Sequence, residues 1–294
     1  MALAYLLVAP PVFLLGPLAG LLVLSRPRSG REVAWLAAAS AWLVFWLRES
    51  GGVADQALRA VGVLAVGGFL ALSLARPAPL FYRALAAAAA AFVALGVWCA
   101  AFHIEWDRLK GAIARELGHA FGQFARQAEL AAGADAAEPF WRVADAARSW
   151  AALVPGVVFV QAVAGLVLGW TLYHTVARRP LGDPPQPFAA FRFSDQLVWL
   201  PVAGLALALL APAGGWRDLG ANLVIVAVAV YATRGLAVVR SGAGRVAAPA
   251  AAAAALAAFV FLPFIVGGLT LLGLADTWLD FRRRPATPTG GFDR

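Results

Sequence analysis

Residues 153–177 read LVPGVVFVQAVAGLVLGWTLYHTVA and run straight into Arg178 and Arg179. The stretch holds no Asp, Glu, Lys or Arg. A hydrocarbon core about 30 Å thick is crossed by roughly 20 apolar residues at about 1.5 Å rise each. The segment therefore predicts a membrane-spanning helix closed by two positive charges.

The same reading, carried outward, finds seven further runs. In chain order the candidate spans are Leu3–Leu24, Val33–Leu47, Ala57–Leu74, Ala84–Ile104, Leu153–Ala177, Leu197–Pro212, Leu219–Val239 and Ala247–Ala275. The second and sixth sit at the lower limit of length, and in the last Pro263 removes a backbone donor and predicts a kink. The predicted fold class is all-α: a polytopic transmembrane bundle of about eight helices. Its parts are four spans in 1–104, a connector in 105–150, four spans in 151–281, and a polar tail in 282–294.

Composition agrees. Of 294 residues, 62% are hydrophobic and 14% charged, with a mean hydropathy of +0.77. A soluble domain carries about 25% charged residues, so this chain could not cover a soluble surface. Disorder is excluded by the same apolar excess. The single cysteine, Cys99, excludes an internal disulfide and a multi-cysteine metal site.

The net charge of +8 is almost all arginine. With the N-terminus outside and strict alternation, the short inside loops hold Arg26, Arg28, Arg31, Arg76, Arg83, Arg178, Arg179, Arg192, Arg240 and Arg245. Arg48, Arg59 and Arg217 lie in the short outside loops. That asymmetry places the first set in the cytoplasm. Under this topology the connector and the Arg282–Arg284 tail fall outside.

In the connector, Trp106, Leu109, Ile113, Leu117, Phe121, Phe124 and Ala128 recur at helical spacing, one apolar face of a helix. Gly133 ends it, and the chain restarts with Pro139 in the next first turn. The expected form is a helical hairpin laid on the bundle or on the membrane surface.

Chemistry-bearing patterns are sparse. His103, His119 and His174 lack the spacing of metal ligands, and no phosphate-loop, dinucleotide or nucleophile-elbow motif occurs. The pairs Gly16/Gly20, Gly165/Gly169 and Ala34/Ala38 permit close helix approach. Trp46, Trp150 and Trp278 flank spans and suit an interfacial belt. Polar groups inside spans are costly and so point to function. They are Arg234, Asn222 and Gln161, which we take as the substrate-binding set. A hairpin turning near Ser241–Ala243 would hold Arg234 some 30 Å from Asp276, about twenty residues of rise. Two separate sites follow, with Asp276 and Asp280 near Arg217 or the arginine tail. Asp276/Asp280 and Asp280/Arg284 have the i, i+4 spacing that would carry the last helix out of the membrane.

Gly220-Ala-Asn222-Leu, Thr233-Arg-Gly235-Leu-Ala-Val238 and Leu272-Gly273-Leu-Ala-Asp276-Thr-Trp-Leu-Asp280-Phe-Arg282 resemble the DUF2232 (YybS-like) family. That family is distantly similar to the substrate-binding S components of energy-coupling-factor transporters. The resemblance implies a multi-pass protein of the bacterial inner (plasma) membrane. It marks Asn222, Gly235, Gly273, Asp276, Asp280 and Arg282 as motif residues. The chain departs from S components in its long connector and in lacking a vitamin-binding signature.

Two functions compete. One is a transport-type membrane subunit that binds a small solute, working with an energising protein. The other is a non-transport scaffold or regulatory protein acting through 105–150 on envelope proteins. No enzyme activity, cofactor, metal or nucleic-acid partner is expected; the lipid bilayer is.

Overall fold

The computed structural model describes residues 2–75, 78–242 and 261–282, with side chains from residue 5 onward. Every regular element among them is helical. The helices are α1 (Ala2–Val8), α2 (Val12–Ser25), α3 (Gly30–Arg48), α4 (Val53–Ala75), α5 (Leu80–Ala101), α6 (Trp106–Ala132), α7 (Ala134–Ser149), α8 (Val154–Val176), α9 (Trp199–Leu210), α10 (Gly215–Gly242) and α11 (Leu262–Leu279). Five of the helical segments are long and apolar enough to cross a membrane, and Val12–Ser25 and Asp195–Leu210 are shorter apolar helices.

The first expected span is interrupted. Pro10 and Pro11 lack the N–H that would continue α1, so α2 starts afresh at Val12. Helix α3 begins at a capping box: the Ser29 side chain accepts from the Glu32 N–H, and the Glu32 carboxylate accepts from the Ser29 N–H. Pro263 lies in the first turn of α11, where no intrahelical donor is needed; the part of the expected span before Phe261 falls outside the described residues. Pro139, placed in a first turn by the sequence reading, lies inside α7 instead.

Small residues set the helix directions. Gly16 and Gly20 of α2 face Val66 and Leu70 of α4, and Gly165 and Gly169 of α8 face Phe13 and Pro17 of α2. Constant offsets of this kind mean that α2, α4 and α8 run parallel, with α2 at the centre. Around α2 lie two apolar clusters. One is built on Phe13, Leu14, Val61 and Trp46, the other on Leu18, Phe69, Leu166, Trp170 and Tyr173. Trp46 is thus a core residue stacked on Trp42, whereas Trp150 and Trp278 are exposed. The Ala34/Ala38 pair joins no helices; both residues are exposed.

Helices α9 and α10 form an antiparallel hairpin, with Gly220 against Leu207 and Ala208 and Gly204 against Leu223 and Val224. The next pair overturns the expected hairpin. Val228 meets Thr270, Tyr231 meets Gly273 and Arg234 meets Asp276, each 42 positions apart. An antiparallel pair would keep the sum of positions constant, so α10 and α11 run parallel. The end of α10 and the start of α11 therefore lie at opposite ends of the bundle. Residues 247–260 of the expected Ala247–Ala275 span lie outside the described residues, and its remainder belongs to α11.

The parallel run also relocates the tail. Arg282 donates to the carbonyls of Ala189 and Phe191, and Arg192 pairs with Asp280 at 2.8 Å. Residues 280–282 thus share an end with the 178–195 loop rather than the opposite one, while Arg76, Arg245, Arg283 and Arg284 lie outside the described residues. Arg26, Arg28, Arg31, Arg83, Arg178, Arg179, Arg192, Arg240 and Arg282 all gather there. The connector occupies the other end, beside Arg48, Arg59 and Asp218.

Candidate functional site

Arg234, Asn222 and Gln161 go to three different places. Gln161 donates from Nε2 to the Val8 carbonyl at 2.8 Å, and its own carbonyl accepts from the Tyr5 hydroxyl. It ties α1 to α8. Asn222 accepts the Gly156 N–H at 2.5 Å and donates to the carbonyls of Ala152 and Asp218, both at 2.7 Å. Its amide is fully used in splinting α10 to the start of α8.

Arg234 enters an ion cluster with the residue it was expected to avoid. Its Nε donates to Asp276 at 2.9 Å and its Nη2 to the Asp276 carbonyl at 3.0 Å. Arg282 reaches the same carboxylate at 2.8 Å, and Asp195 lies 3.5 Å from Arg234 Nη1. Asp276 is 1% exposed and Arg234 5%. Both guanidiniums bond the same oxygen, Asp276 Oδ2, which requires the helices carrying Arg234 and Asp276 to approach closely. Gly235 and Gly273 provide that approach: a Cβ on Gly235 would strike the Leu269 carbonyl, and one on Gly273 the Tyr231 carbonyl. Asp280 has left-handed φ and ends α11, so the helix does not run on past it as the i, i+4 acids suggested; among the described residues no ion pair joins Asp276 to Arg217, and Arg284 lies outside them.

The cluster clamps residues 187–198 across the arginine-rich end. Phe193 stacks edge-on against Tyr231 at 5.2 Å, lies 5.0 Å from the Arg234 guanidinium, and packs beside Phe81 and Phe191. Nearby, the Glu32 carboxylate accepts the Arg178 N–H at 2.6 Å as well as its own cap. These bonds, those to the Arg178 and Arg28 amides first, hold its carboxyl at about 2.

The opposite end is hollow. A cavity of about 1760 Å³ lies in front of α8, between α5 and α10, and reaches the base of α9. Its walls are Leu85, Phe92, Phe159, Leu200, Leu223 and Val226, with Asn222 at one side. The apolar face of α6 roofs it through Trp106, Leu109, Ile113 and Leu117. The roof is pinned to α10, since Trp106 Nε1 and Lys110 Nζ both bond Asp218, at 2.8 and 3.2 Å. Bonds to Asp107 and Asp218 hold the Lys110 ammonium above its usual range. The rest of the expected stripe separates from the roof. Gly118 and Gly122 face Arg148 and Trp141 of α7, and Phe124 is 59% exposed.

Sequence reasoning passed over Glu32, Asp195, Arg59 and Phe193. The Ser29–Glu32 spacing is a legible capping box and Asp55/Arg59 a legible i, i+4 pair; nothing local marks Asp195 or Phe193.

No curated protein and no solved structure matches the chain. The DUF2232 family, described as a predicted membrane protein, matches residues 1–277. With apolar helices of spanning length through that stretch, the chain belongs to the DUF2232 family of membrane proteins.

Proposed function

We propose that this protein is a transport-type subunit of the bacterial inner membrane that binds a ligand in the cavity beneath α6, without chemistry upon it. The observation that carries the reading is the cavity itself. At about 1760 Å³ it exceeds the 300–1,000 Å³ usual for small-molecule pockets. Its walls present a large apolar surface, and exposed apolar surface rimmed by polar residues marks a ligand or interaction site. The arginine asymmetry supports a cytoplasmic position for the clamped end and an outside position for the connector. Binding at one side and ion-paired closure at the other suit a subunit that works with an energising partner.

Cys99 lines the cavity and is the chain's one cysteine. Protein purified in mild detergent should retain a non-protein ligand detectable by mass spectrometry. Stripping it should speed alkylation of Cys99 by N-ethylmaleimide several-fold, and adding it back should slow it again. A preparation that holds no ligand, or a Cys99 rate that ignores stripping and re-addition of the one it holds, would refute the reading.

The scaffold reading has one observation in its favour. Phe124, Leu130 and Phe140, toward the turn of the connector hairpin, are 59%, 88% and 44% exposed. It predicts envelope proteins co-purifying with the wild type and lost on Leu130→Asp.

A further inference from the structure

We infer that the cavity's ligand is an amphiphile, with a long apolar chain lying between α5 and α10 and a zwitterionic head at the connector-side rim. The inference rests on the cavity-binding reading and names its ligand class.

Polarity is confined to one rim. Arg48, Glu49, Asp55, Arg59 and Glu116 line the mouth, where α3 turns into α4 beneath α6. Deeper in, the wall is apolar except for Asn222, whose amide oxygen and both amide hydrogens are already bonded within the protein. A sugar, nucleotide or amino acid seated there would lose its water bonds without replacement, at about 2–7 kcal/mol per polar group. A hydrocarbon chain loses nothing of the kind.

Shape and access agree. Along α5 the lining runs from Ala100 to Leu85, about 22 Å at 1.5 Å per residue. That passes the midplane of a core about 30 Å thick. Val93 lines the cavity yet is 65% exposed, and Leu219 lines it at 43%. The cavity is therefore open sideways, where lipid lies, and a chain can enter without crossing water. Gly96 keeps the α5 wall bare: a Cβ there would meet nothing within 4 Å. Glycine inside a helix costs about 0.5–1 kcal/mol against alanine.

The rim carries both signs. Arg59 pairs with Asp55 and with the Glu49 carbonyl. Among the described residues, the side chains of Arg48, Glu49 and Glu116 have no ion-pair or hydrogen-bond partner. A head with one charge would meet its own sign at this ring, whereas a zwitterion has a complement for each.

The test is photo-crosslinking of the full chain, reconstituted in phosphatidylcholine vesicles that carry a trace of phosphatidylcholine with a mid-chain diazirine. Adducts should map to Phe92, Phe159 and Leu223. Filling the cavity by Gly96→Trp, or by Ala89→Phe should the first variant misfold, should cut those adducts about tenfold, the ratio that 1.4 kcal/mol represents. Adducts on outward-facing Leu64 and Leu209 should not change. Wall adducts that are absent, or indifferent to both variants, overturn the inference. If a water-soluble ligand then co-purifies and shields Cys99, cavity binding stands and only the ligand class falls; if neither occurs, both fall. Replacing half of the matrix phosphatidylcholine with phosphatidylglycerol should raise the wall adducts of the trace probe, because fewer zwitterionic heads then compete with it, and an unchanged yield overturns the zwitterionic head.

Discussion

The two ends of this bundle use polar residues in opposite ways. At the arginine-rich end, Asp276 binds Arg234 and Arg282, Asp280 binds Arg192, and Phe193 is wedged against Tyr231. There these charges hold one segment to another. At the connector end the bonds lie at the edges, Trp106 and Lys110 to Asp218 and Asn222 to Gly156, and the space they frame stays open. A buried ion pair repays its desolvation only with good geometry and further hydrogen bonds, whereas a binding cavity needs walls that do not collapse. One bundle meets both demands by separating them along its axis.

Breaking the clamp should have the largest effect. Asp276→Ala leaves two guanidiniums without their shared carboxylate, and removing one partner of a buried pair costs about 3–5 kcal/mol. The thermal midpoint in detergent should fall and protease should cut near Arg192. Arg234→Leu should also destabilise, and the double variant should lose less than the sum of the two. Additive losses would mean that the pair is not coupled.

Next comes the contact that lets the clamp close. Gly273→Leu drives a side chain into the Tyr231 carbonyl and should cost about 1–3 kcal/mol as overpacking. The same substitution at Gly96, in open space, should leave the midpoint level or higher. Equal destabilisation at both positions would erase the contrast between packed and hollow ends.

A smaller and local effect is expected at the roof. Trp106→Phe keeps the apolar surface but loses one bond to Asp218, which retains Lys110, a loss of about 0.5–1.5 kcal/mol. Proteolysis of the connector should quicken while the thermal midpoint barely moves.

The smallest effect is a pH dependence at the arginine-rich end. Glu32 titrates at about 2 against an ordinary 4.5. Its carboxylate therefore contributes stability that is complete above pH 4.5 and lost as pH falls through about 2. Hydrogen exchange at the Arg178 amide should rise across that window, and Glu32→Gln should make it flat. A wild type already flat there would remove Glu32 from the clamp.

Much of this was legible. The bundle, the connector helix and its end at Gly133 follow from hydropathy, spacing and a glycine. Gly16/Gly20 and Gly165/Gly169 did join helices, although an alanine-rich chain hides such pairs among many idle ones, Ala34/Ala38 included. Asn222, Gln161 and Arg234 stand out in the sequence as polar groups in apolar helices, but their expected grouping into one substrate-binding set does not hold, since they lie in three different places. Each found its partner on an element distant in the chain.

The sequence by itself determined that the chain is a helical membrane protein, which runs are apolar, and which end of each carries arginine. These depend on composition and short-range period, and every residue contributes to them alone. Only the tertiary structure decided that α10 and α11 run parallel, that Arg234 therefore meets Asp276, and that α6 covers a cavity rather than a packed face. An apolar run reads the same in either direction, so hydropathy carries no sign for the way a helix points. That sign comes from packing, where Gly235 and Gly273 let two backbones touch in one register and direction.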